Sequence, residues 1–301
     1  MNKQKEKLKV LVLGGNGFIG SQVVEKLLGR AEVIVGTRKE TKRKGMTTVH
    51  MQSMLNIDDW KSMLQGFDVV VNSVGILRAR QNESYEQVHN LAVKSLAQTC
   101  ALLNISLIHV SAIGLSDKAK SRFIQSKFAG EQAISASGAK ATIVRPSLLD
   151  GEGGYGAKWF RRVAAWPVQF VMKSGGLVAP LQVSDLGEAI AKLVLIPTDQ
   201  RPALVELGGD DIYSIPEYLV SLRKVKKQAP TLQIVMPKFT VRIASHIFDI
   251  FAWTPLSFGH YELMQGYNVP SKNLLPELLG RKPSGLGEVE ENIENENVLV
   301  A

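Results

Sequence analysis

The sequence predicts an α/β protein with a doubly wound parallel sheet and a smaller, mostly helical C-terminal lobe. Short runs rich in Val, Ile and Leu recur through the first half of the chain, and stretches with helical spacing separate them. A glycine-spaced turn joins the first run to the first helix.

The runs are LKVLVLG, AEVIVGT, FDVVVNSVG, SLIHVSA and ATIVRPS, and between them lie SQVVEKLLGR and HNLAVKSLAQTCALLN. Strands apolar on both faces need cover on both faces. Alternation with helices therefore implies parallel β/α units with right-handed crossovers over residues 1–150. After Pro146 the rhythm changes. GEGGYG reads as a loop, WFRRVAAWPVQFVM as one amphipathic stretch, and LVAPLQVSDLGEAIAKLV as a strand–helix unit that completes the sheet with residues 177–209. Residues 151–176 and 210–285 are assigned to a substrate or partner lobe, helical at IPEYLVSLRKVKKQ and TVRIASHIFDIFAW. Residues 286–301 form an acidic tail with little to bury, expected to be disordered. No internal repeat is present.

With 301 residues, 45% of them hydrophobic and 21% charged, the chain can bury a full core. The single cysteine, Cys100, excludes a disulfide framework, and no C-x-x-C or H-E-x-x-H pairing offers a metal site. A reducing compartment fits. The basic start MNKQKEKLKV lacks the apolar core and cleavage site of a signal peptide, and no apolar run reaches the roughly 18 residues of a spanning helix. The expected location is cytoplasmic, or peripheral at the inner face of the membrane. The net charge of +8 includes five tail glutamates, Glu288, Glu290, Glu291, Glu294 and Glu296, so the body is more basic than the whole. Such a body suits anionic lipid, a phosphorylated ligand or simple solubility. Lys238, Arg242 and His246 beside Phe239, Ile243, Ile247, Ile250 and Phe251 read as a basic amphipathic helix, either the wet and dry faces of a globular helix or a membrane-surface contact. The basic residues are not interleaved with exposed aromatics, so no nucleic-acid partner is expected.

The turn GGNGFIG comprises Gly14, Gly15, Asn16, Gly17, Phe18, Ile19 and Gly20. Gly14 permits the tight turn, Gly17 lets backbone amides approach a pyrophosphate, and Gly20 lets the helix pack on the sheet. Between a strand and a helix this is the dinucleotide turn of a Rossmann domain, with the helix N-terminus facing phosphate. An NAD-specific domain usually ends its second strand in Asp or Glu. Here stand Gly36, Thr37, Arg38 and Lys39, whose guanidinium and hydroxyl suit a 2′-phosphate, so NADP(H) is favoured with NAD(H) as the alternative. The strand ends at Asn72, Ser73, Val74 and Gly75, and at Arg145 and Pro146 followed by Ser147 and Leu148, lie where an open α/β sheet binds ligands.

Taken in order, GGNGFIG, VVNSVGIL, HVSAIG, SKFAGEQAI and VRPSLLDGEGG resemble the extended short-chain dehydrogenase/reductase superfamily, NAD-dependent epimerase/dehydratase-like. The likeness is to its atypical branch, which contains the nucleotide-binding accessory subunit of mitochondrial respiratory complex I and free-standing bacterial relatives. It runs from Lys9 to Gly209. The resemblance implies that Ser73, Val74, Gly75 and Pro146 line the cofactor, that Ser111 is the catalytic serine, and that Lys127 is the lysine that binds the nicotinamide ribose. The tyrosine four residues before that lysine is replaced by Phe123. No tyrosine occurs between Tyr85 and Tyr155, so the usual proton donor is missing, and of the groups that could replace it, water, Ser111, Ser126 or Tyr155, none carries a specific signal. His89 is read as a packing group. The implied function is an NADP(H)-binding protein of low or no activity with a respiratory, quinone-related or membrane-surface partner. The alternative is an NADPH-dependent oxidoreductase of a hydrophobic carbonyl, lipid-like or quinone substrate.

Overall fold

A computed structural model describes residues 7–40, 44–172, 175–237, 239–243 and 258–287. Its centre is a seven-stranded, wholly parallel sheet in the order β11-β6-β5-β4-β1-β2-β3. The first five are β1 (Lys9–Leu13), β2 (Glu32–Thr37), β3 (Met46–Thr48), β4 (Val69–Asn72) and β5 (Ser106–Val110). They are followed by β6 (Ala141–Pro146) and, much later, β11 (Leu204–Leu207). Each apolar run of the sequence forms a strand. β3 was not among those runs, because a three-residue strand carries no periodicity.

Helices cover both faces. On one lie α1 (Phe18–Leu27), α6 (Val183–Leu195) and the short α9 (Leu275–Leu279), sharing a core with Val10, Val12, Val71 and Val144. On the other lie α2 (Ile57–Leu64) and α3 (Ala92–Leu103), the latter entered through a π-helical segment, Glu86–Leu91. Trp60 of α2 is wholly buried there. Its indole N–H bonds Met54 O and Ser95 Oγ, both at 3.0 Å, so the large ring is sequestered without an orphaned donor. α4 (Arg122–Ala136) crosses close to the π-helical segment: a Cβ on Gly130 would stand 2.0 Å from His89 O.

The lobe is built from α5 (Tyr155–Ala164), α7 (Ile215–Val225), α8 (Phe258–Gln265) and several short strands. WFRRVAAWPVQFVM does not run as one amphipathic stretch. It breaks after α5 at Trp166–Pro167, where the proline ring bars helix continuation, and the β-branched residues beyond it form β8 (Val168–Met172). β8 pairs in parallel with β13 (Leu232–Met236), in the register Val168↔Leu232. The remaining short strands are β7 (Leu149–Asp150) with β10 (Leu181–Gln182), and β9 (Leu177–Val178) between β12 (Tyr213–Ser214) and β14 (Tyr267–Asn268). Of the segment read as a basic amphipathic helix, residues 239–243 are helical, whereas Lys238, His246, Ile247, Ile250 and Phe251 lie outside the described residues, as do residues 288–301 of the acidic tail. Among the described residues no helix is long and apolar enough to cross a membrane.

Candidate functional site

The site is built on the C-terminal ends of β1, β2, β4, β5 and β6. β1 runs into Gly14, whose φ of +73° favours glycine, and the chain recloses through Gly17 N donating to Gly14 O at 2.8 Å. A Cβ on Gly20 would lie 2.2 Å from Gly14 O, so only glycine lets α1 start this close to the strand. At Gly17 a Cβ would meet only Gly14 O, at 3.1 Å, and would otherwise project into open space. No side chain caps α1 and no acidic residue occupies its first turn, which leaves the N-terminal amides and the positive end of the helix for an anion. The side chain of Phe18 points elsewhere: Gly154 packs so closely on its ring that a Cβ there would stand 2.6 Å from Cζ, while Ile19 packs into the core. Both are therefore placed to offer backbone rather than side chain.

At the end of β2, Thr37 is 3% exposed and its Oγ1 accepts from Asn16 Nδ2 at 2.7 Å and from Lys39 N at 3.3 Å. The hydroxyl thus ties the glycine turn to the neighbouring strand end. Arg38 reaches the carboxylate of Glu83 with Nη1 at 3.2 and 3.3 Å from its two oxygens, while Lys39 is exposed. At the end of β4, Ser73 Oγ donates to Leu13 O at 2.7 Å, fastening that strand to the turn. Asn72 Oδ1 accepts from Val74 N, which orients the amide so that Nδ2 donates to His109 Nδ1 at 3.1 Å. Burial, reinforced by the charge of Lys127, pushes His109 down to about 3, so this ring is a neutral spacer between strand ends.

Ser111 and Lys127, both singled out from the sequence, lie at and beyond these strand ends. Ser111 lies just past β5, held by Ser111 N donating to Val144 O at 2.7 Å; its Oγ is buried and has no partner. Orphaned buried hydroxyls are rare, and one beside a candidate cofactor cleft fits a ligand contact. Lys127 on α4 brings Nζ to 3.7 Å from the position a Cβ on Gly75 would take. Burial lowers it to about 8, partly opposed by Glu131. Glu131 itself is held by Arg145, Nε to Oε1 at 3.0 Å, and Arg145 also faces Glu206. Pro146 ends β6, and Ser147 beyond it bonds Asn268 of β14.

Phe123 is 5% exposed and packed among aromatic rings: centroids lie at 5.7 Å to Tyr85, 5.6 Å to His89 and 5.2 Å to His260. α8 supplies the last of these, and it is clamped onto the start of α4 by Glu262, which accepts from Lys120 N at 2.7 Å and Ser121 N at 2.9 Å. His89 has a structural position, since its Nε2 accepts from Ile76 N and its Nδ1–H then faces Ser126 Oγ, each at 3.1 Å. Ser126 Oγ donates to Phe123 O, which occupies its proton. Tyr155 is 52% exposed at the start of α5. Burial and the charge of Arg78 push His260 down to about 4. Sequence reasoning did not find Glu83, His260 or Asn268, because each reaches the site from far along the chain and none belongs to a motif. Among the described residues, no cluster of His, Cys, Asp and Glu is suited to a metal ion.

Residues 14–161 match an NAD(P)H-binding family model. The chain is 25% identical over 261 residues to "NADH dehydrogenase [ubiquinone] 1 alpha subcomplex subunit 9, mitochondrial" of Dictyostelium discoideum, covering 82% of this chain and 72% of that protein. It is 29% identical over 198 residues to the ceramide reductase of Caulobacter vibrioides, covering 65% of this chain and 61% of that protein. In fold it is similar to an Escherichia coli NADPH-dependent quinone oxidoreductase, with a TM-score of 0.73, 14% identity, and 94% and 99% of the two chains covered. A UDP-N-acetylglucosamine 4-epimerase from Bacillus cereus follows, with a TM-score of 0.65, 15% identity, and 95% and 96% covered. A glycine turn onto an uncapped helix, set at the strand ends of a 3-2-1-4-5-6 parallel sheet, accords with these matches. Residues 14–161 thus carry an NAD(P)H-binding domain, and the chain shares its fold with NAD-dependent epimerases and NADPH-dependent oxidoreductases.

Proposed function

We propose that this chain binds NADP(H) in the cleft above β1, β4 and β5 and has little or no dehydrogenase activity of its own, the bound nucleotide serving a respiratory, quinone-related or membrane-surface partner. The observation that carries this reading is Phe123: the position of the proton-donating phenol holds a hydrocarbon ring packed against Tyr85, His89 and His260. The residues that would hold the cofactor fit it without that phenol. The amides at Phe18 and Ile19 receive the pyrophosphate, Arg38 and Lys39 the 2′-phosphate, and Ser111 Oγ and Lys127 Nζ the nicotinamide ribose and amide side. The complex I subunits among its relatives support a respiratory partner. Exposed Phe170, Leu232 and Ile234, which share one face of the β8–β13 pair, offer an apolar surface for one.

The test is a titration of the protein with NADPH and NADH by calorimetry, followed by incubation of the NADPH complex with quinones and hydrophobic ketones under nicotinamide absorbance. Tight binding without oxidation supports the proposal, and steady oxidation by one substrate class overturns it.

A second reading, an NADPH-dependent oxidoreductase of a hydrophobic carbonyl, lipid-like or quinone substrate, is favoured by the unpartnered Ser111 Oγ, by Lys127, whose ammonium burial lowers to about 8, and by the ceramide reductase relative. NADPH would supply a hydride to the carbonyl carbon, and the proton for its oxygen would come from a group other than residue 123. Ser111→Ala then lowers turnover well beyond its effect on NADPH affinity. An unchanged rate removes Ser111 from that role.

A further inference from the structure

β1 lies between β2 and β4 in the sheet, so the glycine turn that follows β1 has the end of β2 on one side and the chain leaving β4 on the other. Arg38, directly after β2, and Glu83, beyond β4, are joined by an ion pair at 3.2 Å, spanning from one side of that turn to the other. Glu83 is fixed in place: its backbone pairs with Arg80 in both directions, at 2.9 and 3.1 Å, and Ser84 caps the following turn through Gln87. The two partners differ in solvation, the Arg38 side chain being 60% exposed and that of Glu83 only 11%. Arg38 can leave for another anion with little cost to itself, whereas a nearly buried carboxylate that loses its cation is left poorly compensated.

We infer that Glu83 sets cofactor specificity by competing with a 2′-phosphate for Arg38. This rests on the reading of the β2 end as the adenosine-ribose end of an NADP(H) site. Three physical consequences follow from the one geometry. A 2′-phosphate draws Arg38 off Glu83, so part of the Arg38–phosphate attraction is offset by the broken pair. The dianion then sits near a fixed carboxylate of the same sign. A free 2′-hydroxyl, by contrast, can donate to that carboxylate, so Glu83 supplies from the β4 side the acidic group that the β2 end lacks. The chain therefore discriminates between NADPH and NADH less sharply than Thr37-Arg38-Lys39 alone would dictate.

The test measures dissociation constants for NADPH and NADH by calorimetry on the wild-type protein, Glu83→Gln, Arg38→Met and the double variant. Glu83→Gln is expected to tighten NADPH by about three- to tenfold while leaving NADH unchanged or weaker, so that the ratio of the two constants moves. In the Arg38→Met background the same change should move NADPH affinity by less than about twofold, because the contested cation is gone. Weakened NADPH binding in Glu83→Gln would overturn the inference, since Glu83 would then be holding Arg38 in position for the phosphate. Equal shifts for both cofactors would also overturn it, as would a ratio that stays fixed. A wild-type protein that binds neither nucleotide would instead defeat the cofactor reading on which the inference rests.

Discussion

Two single-methyl substitutions in the glycine turn separate the fold from the ligand. A Cβ at residue 20 would stand 2.2 Å from Gly14 O and 2.7 Å from Ser73 Oγ, where ordinary contact begins at 3.4 Å. Relieving that overlap moves α1 or the turn by about 1 Å, the kind of overpacking that costs about 1–3 kcal/mol. At about 2–4 °C per kcal/mol for a chain of this size, Gly20→Ala should lower the nucleotide-free Tm by roughly 2–12 °C. Gly17 is different: its φ of −88° and ψ of 178° suit alanine, and its Cβ meets only Gly14 O, at 3.1 Å. Gly17→Ala should leave the nucleotide-free Tm within about 2 °C of wild type, or raise it slightly by restricting the unfolded chain. Its methyl group nevertheless stands over the uncapped end of α1. A ligand at 100 times its Kd stabilises the native state by about 2.7 kcal/mol, or roughly 5–10 °C. That shift, read by scanning fluorimetry with and without NADPH, should be present in wild type and largely lost in Gly17→Ala. A wild-type shift in Gly17→Ala would refute the placement of the pyrophosphate at this helix end.

Lys127, lowered to about 8 by burial, gives two pH effects of opposite sign. An amine whose folded pKa lies below its unfolded value of about 10.4 binds fewer protons when folded in that window, so nucleotide-free stability should rise between pH 8 and 10. NADPH affinity, which gains from the charged form, should fall as pH passes 8, and Lys127→Met should flatten both trends in urea melts and fluorescence titrations. Ser111→Ala removes an unpartnered buried hydroxyl, so nucleotide-free stability should stay level or rise by about 0.5–1 kcal/mol while the NADPH-induced shift shrinks; a loss of stability of more than about 1 kcal/mol without nucleotide would contradict the orphaned state. Asp185 is 1% exposed and accepts from Ser284 N at 2.6 Å and Arg281 Nη2 at 2.8 Å. Asp185→Asn should cost about 1–3 kcal/mol, measured by chemical denaturation, and loosen residues 281–284 in hydrogen exchange.

The glycine turn, the alternation of strands and helices and the candidacy of Ser111, Phe123 and Lys127 were legible because each depends on residues close in sequence or on a motif with fixed spacing. What the sequence hid was long-range. Arg38 and Glu83 are joined across 45 positions. Ser147 and Asn268 meet across 121, and Lys120 finds Glu262 across 142. No periodicity encodes such pairings. Thr37 had the right chemistry for a phosphate, yet its oxygen serves Asn16 and Lys39, a local competition that composition does not reveal. The break at Trp166–Pro167 was signalled by the proline, but the apolar residues on both sides masked it. A five-residue strand such as LQIVM is indistinguishable by pattern from one face of a short helix.

The late return of the chain to the sheet bears on how the protein is made. Leu275 and Leu279 of α9 belong to the core cluster that contains Val10, Val12 and Val144, and β14 is what Ser147 bonds. During synthesis the first 150 residues leave the ribosome with one face of their sheet still lacking α6 and α9, and with its β6 edge still lacking β11. A nascent chain at that stage carries a complete nucleotide turn over an unfinished core, open to chaperones and to misassociation. The first 150 residues therefore complete their core only when residues 267–279 have been made, which ties the burial of the glycine-turn half to the last segment of the described chain.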